Sequence, residues 1–226
     1  MAGLDLRLLN RSQLRDALAD AFQKLTFVRE TIANIPEVHI PFPKLQEVSF
    51  LEQRIAEYRL ELGRRRTVDT PVRLFYSYSQ SDRPFLIELH QHLTTLATGG
   101  PIQVFWDCDL PAGIEWLPET MSELKDADVV LLLVSPNFLA SRYCHDIELP
   151  AALSLHDCGL AVVIPVIILS CSWQETPLAR LQAISAGGIP IFEAADRLVA
   201  CSKAAGSISR IIDLIRNGKS SIWMAR

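Results

Sequence analysis

Residues 128–148 read DVVLLLVSPNFLASRYCHDIE, and this stretch decides the fold because its periodicity changes along it. Residues 128–134 form an apolar, β-branched run with the length of a strand. From residue 142 to residue 157, apolar side chains recur at helical spacing instead. Strand-like and helix-like segments alternate in the same way on both sides, from residue 72 to residue 216. Such alternation is typical of β-α units around a parallel sheet.

The alternating segments predict five strands and five helices. We expect strands at 72–76, 102–106, 128–134, 161–168 and 189–192. We expect helices near 82–97, 116–126, 142–157, 174–183 and 196–216. The predicted fold class is therefore α/β, with a flavodoxin-like five-stranded parallel sheet sandwiched by helices.

The first seventy residues have a different pattern. Two amphipathic stripes, at 14–25 and 51–62, predict two helices. Between them, IPEVHIPFP at 35–43 carries three prolines and cannot be helical throughout. We predict a small helical module and linker at 1–70, an α/β domain at 71–217 and a C-terminal tail at 218–226. The two stripes bury each other only in part, so the module needs the main domain or another copy to complete its core.

Composition and charge exclude several classes of protein. The formal net charge of -4 gives no basic field for nucleic acid, and the arginines at 64–66 are typical of a solvated linker. No signal-peptide pattern is present, and the longest apolar run, 159–169, is shorter than the roughly 20 residues of a membrane helix. Five scattered cysteines without a C-x-x-C pair indicate reduced thiols and no metal site. We expect a cytoplasmic protein that binds neither membrane nor nucleic acid.

Two carboxylates stand out on the predicted helix at 142–157. Glu148 interrupts an apolar stripe, whereas Asp146 is displaced from it by about 200° of helical rotation. An ionised carboxylate facing a partly dry cleft costs free energy unless it is paired, so its presence favours a function or an ion pair over chance. The ion-pair alternative would join Glu148 to Arg142 or Arg73.

Four ordered motifs give these residues a common explanation. They are FYSYSQSD at 75–82, VFWDCDLPAGIEW at 104–116, LLLVSPNFLASRYCHDIE at 131–148 and VIPVIILSCSW at 163–173. Together they resemble a Toll/interleukin receptor (TIR) domain of the bacterial kind, over residues 72–216. The module at 1–70 more loosely resembles the effector-associated, death-like helical domains that precede bacterial immune effectors.

The resemblance implies an activity. Many TIR domains are similar to hydrolases that cleave the nicotinamide–ribose bond of NAD with a glutamate on the third helix, and Glu148 is the matching residue. NAD would be the substrate, with no cofactor. Plant and receptor-type members show an aromatic-Cys-x-x-Glu spacing, whereas this chain has one residue more after Tyr143 and Cys144. Strict counting lands on Ile147, so the helix register must differ, and Asp146 stays the alternative to Glu148.

The resemblance also predicts which residues surround the substrate and which form the assembly loop. The expected substrate contacts are Tyr78, Ser79, Asp107, Trp116, Ser135 and Tyr143. The expected assembly loop is Asp109, Leu110, Pro111, Ala112, Gly113 and Ile114. Trp116 is equally well explained as a core anchor, and Ser135 and Asn137 as helix caps.

Several functions remain after this reading. The first is an immune effector that hydrolyses or cyclises NAD when copies assemble through TIR–TIR contacts, in a filament for example, with an adaptor or sensor bound by residues 1–70. The second is a non-catalytic interaction protein that uses the same loop. A response-regulator-like phosphoacceptor is disfavoured, because the first strand ends in serine and tyrosine instead of an acidic pair. No glycine-rich phosphate loop is present in the sequence.

Overall fold

A computed structural model of the chain describes residues 5–36, 39–67, 69–96, 101–106 and 116–217, with the backbone alone at 95, 96 and 116. The chain divides into two compact units, Met1–Thr67 and Val68–Arg226. No helix in these described ranges is long and apolar enough to cross a membrane.

The first unit is a helical hairpin. Helix α1 (Arg11–Ile32) begins at Asn10, whose side chain forms a capping box with Gln13. Helix α2 (Phe42–Arg65) begins after Pro41. The two helices bury one seam, to which α1 contributes Leu14, Leu18, Ala21, Leu25 and Val28 and α2 contributes Leu51, Ile55 and Tyr58. The prediction of N-terminal helices is confirmed.

The second unit is a parallel sheet between helices. Its strands are β1 (Val72–Ser77), β2 (Ile102–Phe105), β3 (Val129–Val134) and β4 (Val162–Ile167), in the spatial order β2-β1-β3-β4. Its helices are α3 (Arg83–Leu96), α4 (Trp116–Asp126), α5 (Pro136–Ala140), α6 (Leu149–Asp157) and α7 (Arg197–Arg216), with a π-helical turn at Cys144–Glu148. The predicted α/β architecture is confirmed.

Side-chain alternation along β1 divides the core into two layers. Val72, Leu74 and Tyr76 lie in the layer that also contains buried residues of α3 and α7. Phe75 lies in the opposite layer, with buried residues of α4, the π-turn and α6. Because successive strand residues point to opposite faces, Ser77 shares the layer of Phe75. This places the end of β1 against the π-turn.

The sheet has four strands in the described residues instead of the five predicted, because residues 189–192 do not form a strand. Gly187 and Gly188 turn the chain with φ of 65° and 91°, and Pro190 precedes a 3-10 turn at Ile191–Glu193. Ile184 makes the contact with β4 instead, through an isolated bridge to Val166. The helix predicted at 174–183 is also wrong, since Pro177 divides that segment into two 3-10 turns, Trp173–Glu175 and Pro177–Arg180.

The outer side of β4 offers no free N–H group at three successive positions. N–H groups along a parallel strand point alternately to its two sides, and β3 pairs with one side of β4. On the other side, the N–H of Val163 donates to Nδ1 of His156 at 3.4 Å. Pro165 has no N–H, and the N–H of Ile167 donates to the carbonyl of Ile184 at 2.9 Å. Three successive outward positions of β4 thus offer no free donor.

Candidate functional site

Glu148 lies at the end of the π-turn and points into the protein. The turn is defined by the N–H of Leu149, which donates to the carbonyl of Cys144, five residues earlier. Glu148 is 4% exposed, whereas Ile147 is 39% exposed. Asp146 has a side chain that is 62% exposed and contacts Nδ1 of His145 at 2.9 Å. The turn therefore directs one carboxylate inward and leaves the other at the surface.

The π-turn accounts for the unusual spacing of the motif. A π-turn closes over five residues where an α-turn closes over four, so it accommodates one extra residue within a helix. Ile147 takes the outward position, and Glu148 reaches the inward one. Pro150 contributes, because it has no N–H to donate to the carbonyl of Asp146, so an ordinary α-helix would lack one hydrogen bond there.

The carboxylate of Glu148 borders a small pocket at the carboxyl end of β1. The pocket has a cavity volume of about 90 Å³. Its lining consists of Phe75, Tyr76, Tyr78, Ser79, Gln80, Thr120, Ser141, Tyr143, Cys144 and Glu148. Ligands of open α/β sheets bind at the carboxyl ends of the strands, and the pocket has this location. No lysine, arginine or histidine is found among the described residues of its lining.

Ser77 fixes the carboxylate of Glu148 from the side of the sheet. Its Oγ donates a hydrogen bond to Oε2 of Glu148 at 2.5 Å, and Ser77 itself is completely buried. Ser77 is the last residue of β1 and pairs with Leu132 of β3. A residue of the sheet thus holds a side chain of the helical layer.

Tyr143 lies on the other side of the carboxylate. Burial raises the pKa of the Tyr143 hydroxyl far above its usual value, and the nearby carboxylate of Glu148 raises that pKa further. The neighbouring hydroxyl of Thr120 acts in the opposite direction on the same pKa. The phenol therefore stays protonated beside an anion.

Cys144 ties the π-turn to the strand a second time. Its Sγ donates to the carbonyl of Tyr78 at 3.3 Å, and the thiol is buried. Together with the bond from Ser77, this contact fixes both ends of the π-turn to the end of β1. Two segments that line the pocket are thus joined by two hydrogen bonds.

A second buried carboxylate lies one strand away. Asp82 is completely buried, accepts a hydrogen bond from Oγ of Ser135, and accepts another from Nδ2 of Asn137 at 2.8 Å. Ser135 also caps α5, since its Oγ accepts from the N–H of Phe138 at 2.9 Å. These bonds join the segment after β1 to the segment after β3.

The structure brings together some of the predicted site residues. Tyr78, Ser79 and Tyr143 line the pocket with Glu148. Ser135 and Asn137 bind Asp82, which agrees with the capping alternative, and a role of Ser135 toward substrate stays a prediction. The remaining predicted residues lie outside the described side chains: Asp107, Trp116, Asp109, Leu110, Pro111, Ala112, Gly113 and Ile114.

Sequence reasoning missed several contacts and pocket residues of this site. Arg73, a proposed ion-pair partner of Glu148, instead contacts Asp126 at 2.7 Å. The contact of Ser77 with Glu148 was not predicted. Period-two alternation nevertheless places Ser77 on the same face of the sheet as Phe75, the face covered by the helix predicted at 142–157. Thr120 and Ser141 had no signal in the sequence, because an isolated hydroxyl on a helix or loop looks like any surface residue.

Comparisons with known proteins identify the family of the α/β unit. The model of the TIR domain family matches residues 74–199, which is more than half of the chain. An uncharacterized protein of Sinorhizobium fredii, y4lF, is 36% identical over 118 residues, 52% of this chain. The matched part amounts to 36% of that protein's length, so the chain covers about a third of this relative. With its parallel sheet, its pocket at the end of β1 and this match, the chain belongs to the TIR domain family.

Proposed function

We propose that this protein is a TIR-domain immune effector that cleaves NAD, releasing nicotinamide, and that it does so when copies assemble. One observation carries the proposal: the buried carboxylate of Glu148 borders the pocket and is fixed by Ser77. A carboxylate removed from water and held by a hydrogen bond at the edge of a cleft is typical of a functional group.

The chemistry requires only one such carboxylate. When the bond between C1′ of the ribose and the pyridinium nitrogen breaks, its electron pair goes to the nitrogen, and nicotinamide leaves as a neutral molecule. No general acid is needed for this departure. The positive charge that develops at C1′ is stabilised by a fixed anion or by hydrogen bonds to the ribose hydroxyls. Water then attacks C1′ and loses a proton, which gives a linear product. Alternatively, a ring nitrogen of adenine attacks C1′ and the exocyclic amine of adenine loses a proton, which gives a cyclic product.

The size of the pocket supports a role for assembly. Pockets for drug-sized ligands occupy roughly 300–1,000 Å³, whereas this one has about 90 Å³. It accommodates one part of NAD, which we assign to the nicotinamide end, in contact with Tyr78, Ser79 and Tyr143. We propose that a second copy contributes the rest through TIR–TIR contacts at residues 109–114, and that residues 1–70 bind an adaptor or sensor. The proposal places the reaction in the cytoplasm, with NAD as substrate and without a cofactor.

Paired variants of the two neighbouring carboxylates test the activity. Glu148→Gln keeps the size of the side chain and removes its charge, so NAD cleavage should fall by at least about 100-fold, the scale of losing one electrostatic group of an active site. Asp146→Asn is the matched control, and its turnover should stay within about two-fold, because Asp146 lies exposed at the surface, where it contacts His145. Both proteins are incubated with NAD over a concentration series, and products are separated by chromatography.

The concentration dependence tests the assembly. Turnover per chain should rise with protein concentration if neighbouring copies complete the site.

Equal turnover by Glu148→Gln and the wild type would refute the catalytic assignment. A monodisperse monomer as fast as any oligomer would refute the requirement for assembly and leave the activity itself standing.

The alternative is a non-catalytic interaction protein. The described pocket lining favours it in one respect, because it contains no lysine or arginine to neutralise a diphosphate. This alternative predicts intact NAD at every concentration, under assembling conditions as well, together with measurable binding to another TIR domain.

A further inference from the structure

We propose that Ser77 is the positioning residue of the site, and that its hydroxyl holds the Glu148 carboxylate in one orientation at the edge of the pocket. The proposal rests on the proposed function in so far as Glu148 acts on the substrate. It assigns to Ser77 an effect on the carboxylate alone, with no contact to the substrate.

The location of Ser77 separates positioning from binding. Ser77 is completely buried and is not part of the pocket lining, whereas Glu148 is part of it. The bond to Oε2 of Glu148 fixes the orientation of a carboxylate that borders the pocket. A substrate in the pocket would therefore meet the carboxylate and not the serine.

The support behind Ser77 makes it suitable for this task. The residue belongs to β1, a central strand between β2 and β3, and is paired with Leu132. One residue further on, the carbonyl of Tyr78 accepts from Cys144 at 3.3 Å. The donor is thus anchored in the sheet, and the π-turn that carries the acceptor is anchored to the same strand. Sites on such rigid elements hold their geometry more closely than sites on loops.

The carboxylate needs a fixed partner for two reasons. A glutamate side chain loses up to roughly 2 kcal/mol of rotamer entropy when it is held in one conformation, so something must favour that conformation. Burial also disfavours the charged form, and a hydrogen bond to the charged form favours it. The titratable residues that line the pocket together with Glu148 are Tyr76, Tyr78, Tyr143 and Cys144, none of which supplies a positive charge at neutral pH. The hydroxyl of Ser77 therefore contributes to keeping the carboxylate ionised.

The chain provides a matched control in Ser135. Ser77 is the last residue of β1, and Ser135 directly follows β3, the other central strand. Both serines are completely buried, and Ser135 donates to the buried carboxylate of Asp82. Ser77→Ala and Ser135→Ala each remove one buried hydroxyl and leave one buried carboxylate with one donor fewer. Only Ser77→Ala does so at Glu148.

Kinetics provide the first readout. In assembled protein, Ser77→Ala should lower kcat by about 10- to 30-fold, which corresponds to roughly 1.4–2 kcal/mol, with KM within about two-fold. The acid limb of the pH–rate profile should move to higher pH by about one unit, because a hydrogen bond to an ionised carboxylate is worth roughly 1.5–3 kcal/mol. The acid limb of Ser135→Ala should stay at the pH of the wild type. Wild-type kcat in a folded Ser77→Ala protein would overturn the proposal.

A second readout does not depend on turnover. The side-chain carboxyl carbon of Glu148 is followed by NMR against pH in protein labelled with ¹³C-glutamate, and Glu148→Gln assigns the signal by its loss. We expect the titration midpoint to rise in Ser77→Ala and to stay unchanged in Ser135→Ala. An unchanged midpoint in Ser77→Ala overturns the proposal. If the assembled wild type cleaves no NAD, the proposed function fails, while the NMR midpoint still decides whether Ser77 holds the carboxylate.

Discussion

Two buried carboxylates are stabilised in the same way at the ends of adjacent strands. Glu148 accepts from Ser77 at the end of β1, and Asp82 accepts from Ser135 just after β3. Serine suits both places, because it is small enough for a fully buried position and supplies one donor at little entropic cost. The difference between the two is access, since Glu148 borders the pocket and Asp82 joins two segments of the scaffold.

At the scale of single residues, the sequence predicted the acidic group but not its surroundings. Glu148 was recognisable because a charge within an apolar stripe is unusual. The same stripe placed Ile147 on the buried face beside Glu148, whereas Ile147 is 39% exposed in the structure. The contact of Ser77 with Glu148 and the place of Thr120 in the pocket could not be predicted, because both depend on residues distant in the sequence.

His156 makes a pH-dependent contribution that can be measured. Burial lowers the pKa of its imidazole below the usual value, although Asp157 acts in the opposite direction and Arg180 in the same one. The neutral ring accepts from the N–H of Val163, which the protonated ring cannot do. Because the folded-state pKa is the lower one, this stability is present above the unfolded pKa near 6.5 and is lost as pH falls through the folded pKa.

We expect wild-type protein to lose more stability than His156→Gln between pH 7.5 and pH 5.5. The extra loss should be below about 1 kcal/mol, because the ring is only half buried and solvent screens its charge. Urea unfolding at a series of pH values checks this difference. A parallel pH dependence in both proteins would show that His156 does not titrate differently on folding.

At the scale of elements, hydrophobic periodicity predicted the elements that are long and regular. Strands β1, β3 and β4 and helices α1, α2 and α7 lie where their patterns placed them. The predictions of a helix at 174–183 and a strand at 189–192 are wrong. Apolar residues there belong to a connection made of turns, which proline and glycine interrupt. Apolar content indicates burial, whereas proline and glycine within the segment decide its backbone conformation.

The π-turn can be tested by changing its length. Deletion of Ile147 removes an exposed residue and shortens the turn to α-helical length, so the carboxylate should keep its place in the pocket. NAD cleavage should stay within about ten-fold of the wild type, a loss smaller than that of a removed catalytic group. Insertion of one alanine after Asp146 is the control, because it should rotate Glu148 by about 100° and abolish activity. A folded deletion variant as inactive as Glu148→Gln would show that the π-turn itself is required.

At the scale of the whole molecule, the two units differ in how they are stabilised. The hairpin buries a single seam and exposes aromatic side chains, among them Phe27 at 68% and Phe50 at 62%. The α/β unit has two core layers on a sheet whose central strands, β1 and β3, are buried on both faces. Stability grows with buried apolar area, so the two units should have different free energies of opening.

Hydrogen exchange followed by mass spectrometry measures this difference. We expect amides of α1 and α2 to exchange at least about tenfold faster than those of β3, which corresponds to a difference in opening free energy of roughly 1.4 kcal/mol or more. Helix α7 is the internal control, because it is a helix of similar length to α1 within the larger unit. Equal protection of α1 and α7 would show that the hairpin is as stable as the sheet unit.

The outer side of β4 matters when many copies are close together. A strand with unsatisfied N–H groups is a template for a strand of another chain, and repeated addition of this kind produces cross-β fibres. At β4 an incoming strand would have to displace the ring of His156 and the segment at Ile184, and would find no donor at Pro165. A protein proposed to work at high local concentration is thus protected, on this side of its sheet, from irreversible aggregation.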